Sequence, residues 1–187
     1  RFVALELRWF ADSRIRRFDD SERRVWVVHE TGHQIFVFSN DGSELLATLG
    51  EKDVPGDDET HLAGPQDVAF LPDGRVLIVG GTDDLSQLAK VSAYDPATNE
   101  ITSLAPLAEG RSNHVAVLLD DGRVLVAGGG KRELEDAITS AEIYDPASDT
   151  WSFAGRLSEA RLFPVYGKLL DGKVLVVGGK GKLKGAD

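Results

Sequence analysis

The stretch LPDGRVLIVGG at residues 71–81 recurs as LDDGRVLVAGG at 119–129 and as LDGKVLVVGG at 170–179. In each copy an Asp-Gly pair precedes an apolar run that ends in two glycines, and successive copies are 48 and 50 residues apart. Asp-Gly between two apolar runs is the sequence signal of a tight β-hairpin turn. The repeat therefore predicts a hairpin at regular intervals along the chain.

A second repeated segment comes after each of the first two copies. AYDPATNEI at 93–101 and IYDPASDTW at 143–151 are again 50 residues apart. Each predicts a third strand, a turn, which in the later copy lies at residues 147–149, and a fourth strand. A period near 50 residues with four strands is that of a propeller blade. Because a sheet that is apolar on both faces cannot bury both alone, stacking around an axis is expected, and the fold class is all-β: a β-propeller of four-stranded antiparallel blades.

The spacing also indicates the number of blades. Residues 14–50, 65–107 and 111–157 each supply about four strands. If the N-terminal RFVALEL, residues 1–7, pairs with the last repeat, a ring of about four blades closes and removes the exposed sheet edges. The alternative is a half-propeller that dimerises, so the chain is expected to be a monomer or a homodimer. In either case residues 1–187 form a single β-propeller domain.

Residues 65–187 resemble bacterial kelch repeats. The features that carry the resemblance are a paired glycine after the second strand, a tyrosine on the third strand and a tryptophan on the fourth. In this sequence they are Gly80 with Gly81, Gly128 with Gly129, Gly178 with Gly179, Tyr94, Tyr144 and Trp151, with Ile101 in the place of the earlier tryptophan. The tyrosines and the tryptophan are expected to pack between blades rather than form a ligand cage.

Residues 1–64 resemble NHL repeats instead, through RRVWVVHETGHQIFVFSNDG at 23–42 and ADSRIRRFD at 11–19. NHL repeats also form propellers, in amidating lyases and in ligase-associated interaction domains. The two repeat types meet inside one blade, near residues 64–81. Either the repeats of a natural propeller have diverged, or fragments of two parents were joined. The chain has no cysteine and no methionine, which favours an engineered NHL/kelch chimera or a processed fragment.

His29, Glu30 and His33 spell H-E-x-x-H, the zinc-protease signature. That signature requires a helix, because the two histidines must point the same way one turn apart. The flanks RRVWVV and QIFVFS are rich in residues that favour strands, and Gly32 favours a turn. The NHL resemblance likewise implies that HETGH lies in a turn between two strands.

Composition restricts the partners. The chain has 21 Lys and Arg against 31 Asp and Glu, a formal net charge of −10. An acidic surface repels phosphates, so no nucleic acid and no anionic membrane is expected as a partner. No apolar run is long enough for a spanning helix, and no signal peptide is recognisable. The absence of cysteine excludes disulfides, thiolate metal sites and the cysteine-linked copper cofactor of the kelch oxidases that resemble galactose oxidase.

The enzyme candidates are few. The amidating lyases bind zinc through histidines that come after a proline at the start of a blade. In this sequence Gln66 comes after Pro65 at that place, and His114 is one candidate ligand where a catalytic zinc needs three. No catalytic residue, cofactor or metal ligand set is therefore expected. Asp57, Asp58 and Glu59 are weak calcium candidates in an acidic loop, because carboxylate oxygens suit calcium but no regular ligand spacing is present.

The ligand-binding candidates are Arg111, Asn113, His114, Arg161 and His29. Arg111 and Arg161 begin equivalent blades, where they could receive an anion in the central channel, but structural salt bridges to the neighbouring blade are the favoured role. Loops at one face, residues 29–33, 51–64, 82–89 and 131–140, are the expected place for a protein or small-molecule ligand. The predicted function is a non-enzymatic β-propeller scaffold or interaction module, including an engineered hybrid with no selected ligand. The alternative is a metal-dependent lyase or hydrolase that uses His29, Glu30, His33 or His61.

Overall fold

The structure of the chain is a computed structural model that describes residues 24–39, 41–56, 61–83, 86–130 and 137–181. Within these ranges all regular secondary structure is β-strand, joined by turns. None of the described residues forms a helix suited to crossing a lipid bilayer. The strands form antiparallel blades that succeed one another in chain order.

The first blade contains three described strands, β1 (Val25–His29), β2 (Gln34–Phe38) and β3 (Leu45–Leu49), in the order β1-β2-β3. β1 and β2 form a hairpin whose register runs from Val25 opposite Phe38 to His29 opposite Gln34. The HETGH segment is therefore the end of β1 and the turn after it, as the flanking strand formers predicted. The helical geometry that a zinc protease needs is absent from it.

The second and third blades each have four strands in simple up-and-down order. The second consists of β4 (Asp67–Phe70), β5 (Val76–Val79), β6 (Val91–Asp95) and β7 (Glu100–Ser103). The third consists of β8 (Val115–Leu118), β9 (Val124–Ala127), β10 (Ser140–Asp145) and β11 (Thr150–Arg156). The Asp-Gly turns join the first two strands of each blade, and the YDP segments form the third strands, as predicted.

The fourth blade is smaller among the described residues. β13 (Val165–Lys168) and β14 (Val174–Val177) form its hairpin. β12 (Arg161–Leu162) and β15 (Lys180–Gly181) form a short ladder beside it. The proposed closure of the ring by residues 1–7 lies outside the described residues.

The blades bury their faces against one another. Residues paired across a hairpin point to the same face of the sheet. The leading face of a blade points toward the next blade in the chain, and the trailing face points toward the previous one. The residues that pack together are Trp26 and Val28 with Val68 and Ile78, Leu77 and Val79 with Val124 and Val126, and Val115 and Val117 with Val174 and Val176. Each leading face of the first three blades thus meets the trailing face of its successor.

The paired glycines lie where neighbouring blades touch. A Cβ on Gly80 would come within 2.3 Å of the carbonyl oxygen of Arg111, and Gly80 has φ +60°. The amide of Gly81 donates to that same carbonyl, and the amide of Gly129 donates to the carbonyl of Arg161 in the same way. Because a side chain would enforce a gap and disfavour positive φ, the blades can approach this closely only at glycine.

Candidate functional site

The segments that lead into the first strands of the second, third and fourth blades lie side by side. We call them the blade-start segments, residues 62–66, 110–114 and 160–164. The amide of Phe163 donates to the carbonyl of Asn113 at 2.9 Å, and the amide of Asn113 donates to Oε1 of Gln66 at 3.2 Å. The three segments are therefore linked by hydrogen bonds from one blade to the next.

Arg111 is fully buried in the third blade. Its Nη1 donates to the carbonyls of Gly128 and Ser140, at 3.1 and 2.9 Å. Its Nη2 donates to the hydroxyl of Ser140 at 3.0 Å and to the carboxylate of Glu142 at 2.7 Å. Glu142 is itself 4% exposed and accepts a hydrogen bond from the amide of Ala108. The guanidinium thus ties the blade-start segment to β9 and β10.

Burial lowers the pKa of Arg111, while the carboxylates of Glu142 and Glu109 act in the opposite direction. A guanidinium titrates so far above neutral pH that it stays charged, and a buried charge requires a partner. Glu142 supplies that partner. This geometry favours a structural salt bridge over the anion site, but Glu142 belongs to the third blade itself and not to the neighbouring blade as expected. The anion at Arg111 remains a prediction without support from its surroundings.

Arg161 takes the equivalent position in the fourth blade. Its Nη1 donates to the carbonyl of Gly178 at 2.9 Å, just as Arg111 donates to Gly128. Its Nη2 lies 3.2 Å from the carboxylate of Glu159, and its side chain is 26% exposed. Arg161 therefore has the same structural role as Arg111 at a more exposed place, and it keeps more contact with solvent.

Asn113 and His114 are buried beside Arg111. Asn113 has φ +59°, a left-handed conformation that asparagine tolerates better than most residues. Its Nδ2 donates to Ser112 Oγ at 3.1 Å, while its buried Oδ1 accepts no hydrogen bond from the described residues. The ring of His114 packs against the space that a Cβ on Gly80 would need. These residues hold the blade start in place, and they are not open to a ligand from solvent.

Gln66 and Asp67 belong to this network, and the sequence did not identify their structural role. Both are buried. The carboxylate of Asp67 accepts hydrogen bonds from the amides of Val68 and, in the next blade, Ala116, at 2.9 and 2.8 Å. The 48-residue spacing makes Gln66 the equivalent of His114 in the next blade. This equivalence is the signal that could have identified Gln66 and its neighbour Asp67 as blade-start residues.

The zinc site implied by the amidating-lyase resemblance does not fit this arrangement. The equivalent blade-start positions hold Gln66, His114 and Pro164, and only the histidine is a common zinc ligand. Gln66 already accepts the amide of Asn113. Across the described ranges, no three His, Asp or Glu side chains come together as a metal site would require. The calcium candidates Asp57, Asp58 and Glu59 lie outside the described residues.

His29 and His33 have different surroundings, although they are close in sequence. His29 Nε2 lies 3.4 Å from the hydroxyl of Thr31, and its ring lies against Gly32. His33, with φ +55°, accepts the amide hydrogen of Gly64 at its Nδ1, at 2.9 Å. His33 therefore connects the first blade to the start of the second blade, whereas the ring of His29 lies near Thr31, Gly32 and Phe36 of its own hairpin.

Two loops meet around His33: the turn between β1 and β2, and the connection from β3 to β4. We call residues 29–33, 50–56 and 61–64 the loop surface. Asp53 donates its amide to the carbonyl of Gly32 at 3.2 Å, and His61 Nε2 lies 3.3 Å from the carboxylate of Glu51. The side chains of Glu51, Lys52 and Asp53 are 68%, 74% and 69% exposed. The loop surface thus presents charged side chains on a hydrogen-bonded base that spans two blades.

The aromatic residues pack as expected from the repeats. Tyr144 donates its hydroxyl to Asp149 at 2.8 Å and stacks near Trp151, with 5.0 Å between ring centroids. Trp151 Nε1 donates to the carbonyl of Ala105 at 2.8 Å. Burial, and after it the hydrogen bond to Asp149, raises the pKa of Tyr144 far above its usual range. These side chains close the turn of the third blade and attach it to the preceding connection.

Comparison with known proteins agrees with this geometry. Residues 111–158, the third blade, match the kelch motif. The solved structure of YjhT superposes with a TM-score of 0.61 at 16% identity, over 82% of this chain and 52% of that one. The probable peptidyl-alpha-hydroxyglycine alpha-amidating lyase pgal-1 of Caenorhabditis elegans is 32% identical over 62 residues, 33% of this chain and 18% of the relative.

The chain therefore spans less than a fifth of the curated relative and about half of the solved chain. At 16% identity the likeness to YjhT shows the fold alone. The NHL-like assignment of residues 1–64 and a hybrid origin stay predictions, because the kelch match is confined to residues 111–158. The described blades, the structural neighbour and the motif together identify the chain as a β-propeller that carries a kelch motif.

Proposed function

We propose that the chain is a non-enzymatic interaction module that binds a protein segment through its loop surface. Loops held on a rigid β scaffold are the usual place for recognition in such folds. The observation that carries the proposal is the joining of the first blade's turn to the connection between the first and second blades by the bonds of His33 and Asp53. A surface fixed in this way loses little conformational entropy when a partner binds.

The charges favour a cationic partner. Glu51 and Asp53 are exposed carboxylates on this surface, with Lys52 between them, and the chain carries a formal net charge of −10. Complementary charge steers association and selects among partners more than it raises affinity. We therefore infer that a lysine- or arginine-rich peptide segment is the class of ligand that this surface accepts.

A peptide array tests the proposal. The purified 187-residue chain is incubated with immobilised 15-residue peptides of varied charge, at low and at high salt. We expect the basic peptides to retain the protein at low salt, and we expect added salt to weaken this retention because the interacting charges are exposed. The E51K/D53K double variant should lose most of the retention.

The matched control is the E100K/E44K double variant. It makes the same change in net charge on β7 and before β3, where both glutamates are exposed. Retention that falls equally in both variants would show a general charge effect and would contradict a site at the loop surface. If no peptide is retained, the result would favour a hybrid scaffold without a selected ligand.

The similarity to pgal-1 supports a second candidate, a lyase-type enzyme. It is weaker because the blade-start positions offer His114 but also Gln66 and Pro164. Melting-temperature measurements with added zinc or calcium distinguish the two candidates. A metal that binds the folded state should raise the melting temperature through linkage, and an unchanged melting temperature favours the interaction module.

A further inference from the structure

His33 joins two segments of the chain through a nitrogen that accepts a hydrogen bond only while it carries no proton. The amide of Gly64 donates to Nδ1 of His33 at 2.9 Å. Gly64 lies 31 residues further along the chain, in the connection that leads into the second blade. A neutral imidazole has one acceptor nitrogen, whereas an imidazolium donates from both nitrogens and accepts at neither. The bond therefore requires a neutral His33 whose proton is on Nε2.

The backbone at both ends of this bond is closely packed. A Cβ on Gly50 would lie 2.3 Å from the carbonyl oxygen of His33, and a Cβ on Gly64 would lie 2.3 Å from the carbonyl oxygen of Thr82. The carbonyl of Gly64 also accepts the amide hydrogen of Thr82 at 3.2 Å. A proton on Nδ1 would thus face the N–H of Gly64, donor against donor. The imidazolium must turn away from Gly64, and the bond between the two segments is lost.

Charged and titratable groups lie on the segments that pack around His33. Among the described residues they are His29 and Glu30 in its own turn, Glu51, Lys52, Asp53 and His61 in the connection between the first two blades, and Asp83 after β5. Histidine is the only one of these residue types whose usual charge change falls between about pH 5 and 8. His61 Nε2 lies 3.3 Å from the carboxylate of Glu51. A protonated His61 therefore forms an ion pair with a carboxylate of the loop surface.

We propose that the loop surface is a pH-dependent site, which holds a cationic peptide near pH 7.5 and releases it near pH 5.5. The inference rests on the proposed function for the class of the ligand. Protonation of His33 separates the turn from the connection, so the surface is no longer fixed before the partner binds. Protonation of His61 pairs Glu51 and adds a positive charge that repels a cationic partner. Both changes weaken binding as the pH falls.

NMR spectroscopy of the 187-residue chain tests the link at His33 without any ligand. Near pH 7.5, long-range proton–nitrogen spectra should show His33 with a proton on Nε2 and none on Nδ1. Near pH 5.5 the amide of Gly64 should lose about two- to tenfold of its protection from solvent exchange, corrected for the intrinsic effect of pH, as expected for one lost hydrogen bond. A proton on Nδ1 near pH 7.5, or equal protection at the two pH values, would overturn the proposal.

The H33N variant separates the titration from the hydrogen bond. The side-chain oxygen of asparagine also accepts a hydrogen bond, does not titrate, and belongs to a residue that tolerates positive φ; His33 has φ +55°. H33N should therefore keep the protection of Gly64 at both pH values. If protection in H33N decreased with pH as it does in the unmodified chain, His33 would not be the titrating group.

Retention on immobilised basic peptides at constant ionic strength tests the consequence for binding. Retention of the unmodified chain should fall about threefold or more between pH 7.5 and 5.5, less in H33N and not in H33N/H61N. H29N, which removes the other histidine of the turn, should still show the fall. Retention that is equal at both pH values, or that falls equally in H33N/H61N, would contradict the proposal. No retention near pH 7.5 would contradict the proposed function, and the Gly64 measurement would then decide alone whether His33 is a pH-sensitive link.

Discussion

Gly80 and Gly178 occupy the same position in the second and fourth blades but have different neighbours. Both have positive φ, +60° and +68°. A Cβ on Gly80 would lie 2.3 Å from the carbonyl oxygen of Arg111, whereas on Gly178 its nearest neighbour would be Val165 Cγ2 at 4.0 Å. The two glycines therefore separate the cost of backbone conformation from the cost of close approach.

We expect G178A to lower the free energy of unfolding by about 1–2 kcal/mol, the cost of a left-handed alanine. G80A should lower it by about 1–3 kcal/mol more, because the neighbouring backbone must also move. Urea denaturation of both variants measures the difference. Equal losses would mean that the blades do not approach as closely at Gly80 as the structure indicates.

Tyr144 gives a prediction about pH. Its pKa is raised because burial and the hydrogen bond to Asp149 disfavour the phenolate. Above about pH 10 the unfolded chain releases this proton while the folded chain retains it. The contribution to stability is thus complete below about pH 10 and decreases as the pH rises above that value.

The Y144F variant should therefore be less stable than the unmodified chain at pH 7, by about 0.5–1.5 kcal/mol for a lost hydrogen bond. It should also lose less stability between about pH 9 and 11. Urea midpoints across this range measure both effects, with Y166F at an exposed position as the control. If the free energy of unfolding of Y144F decreased with rising pH as steeply as that of the unmodified protein, this result would be evidence against a buried Tyr144.

At the scale of the element, the ion pair of Arg111 and Glu142 fastens the third blade. Removing one partner of a buried pair leaves an uncompensated charge and costs about 3–5 kcal/mol. We expect E142Q and R111M each to be strongly destabilising, and the double variant to cost less than the sum of the two. Chemical denaturation of the three variants gives the coupling free energy.

The fourth blade provides the control for this cycle. Arg161, the equivalent of Arg111, pairs there with Glu159 at a more exposed place, the two side chains being 26% and 44% exposed, and such pairs contribute about 0–1 kcal/mol. R161M and E159Q should therefore have small, nearly additive effects. Similar coupling in both pairs would contradict the difference in burial between the two blades.

Most elements could be predicted from the sequence because their signals are local. The Asp-Gly turns, the YDP strands and the HETGH turn each depend on residues within one hairpin. The roles of Gln66, Asp67 and His33 could not be predicted, since their partners Asn113, Ala116 and Gly64 come from other blades or blade starts. For the same reason the sequence favoured a salt bridge for Arg111 over an anion site but could not identify its partner, because Glu142 lies 31 residues away.

At the scale of the whole molecule, the repeat predicted four blades but not which faces stay exposed. The repeat spacing of 48 and 50 residues predicts that successive blades are neighbours. Leu77 is buried because the third blade packs against the face on which it lies. The exposure of Leu175 depends on which element lies beyond the fourth blade in space, and a repeat pattern does not encode this.

The central claim is that the blades stack in chain order, leading face against trailing face. A methyl NOESY spectrum of the 187-residue chain tests it most directly, since Leu77 and Val79 share one buried cluster with Val124 and Val126. The account predicts NOEs between these two pairs of methyl-bearing residues, and between Val115 or Val117 and Val174 or Val176. NOEs that instead join Leu77 or Val79 to Val174 or Val176, or a spectrum without contacts between blades, would contradict it.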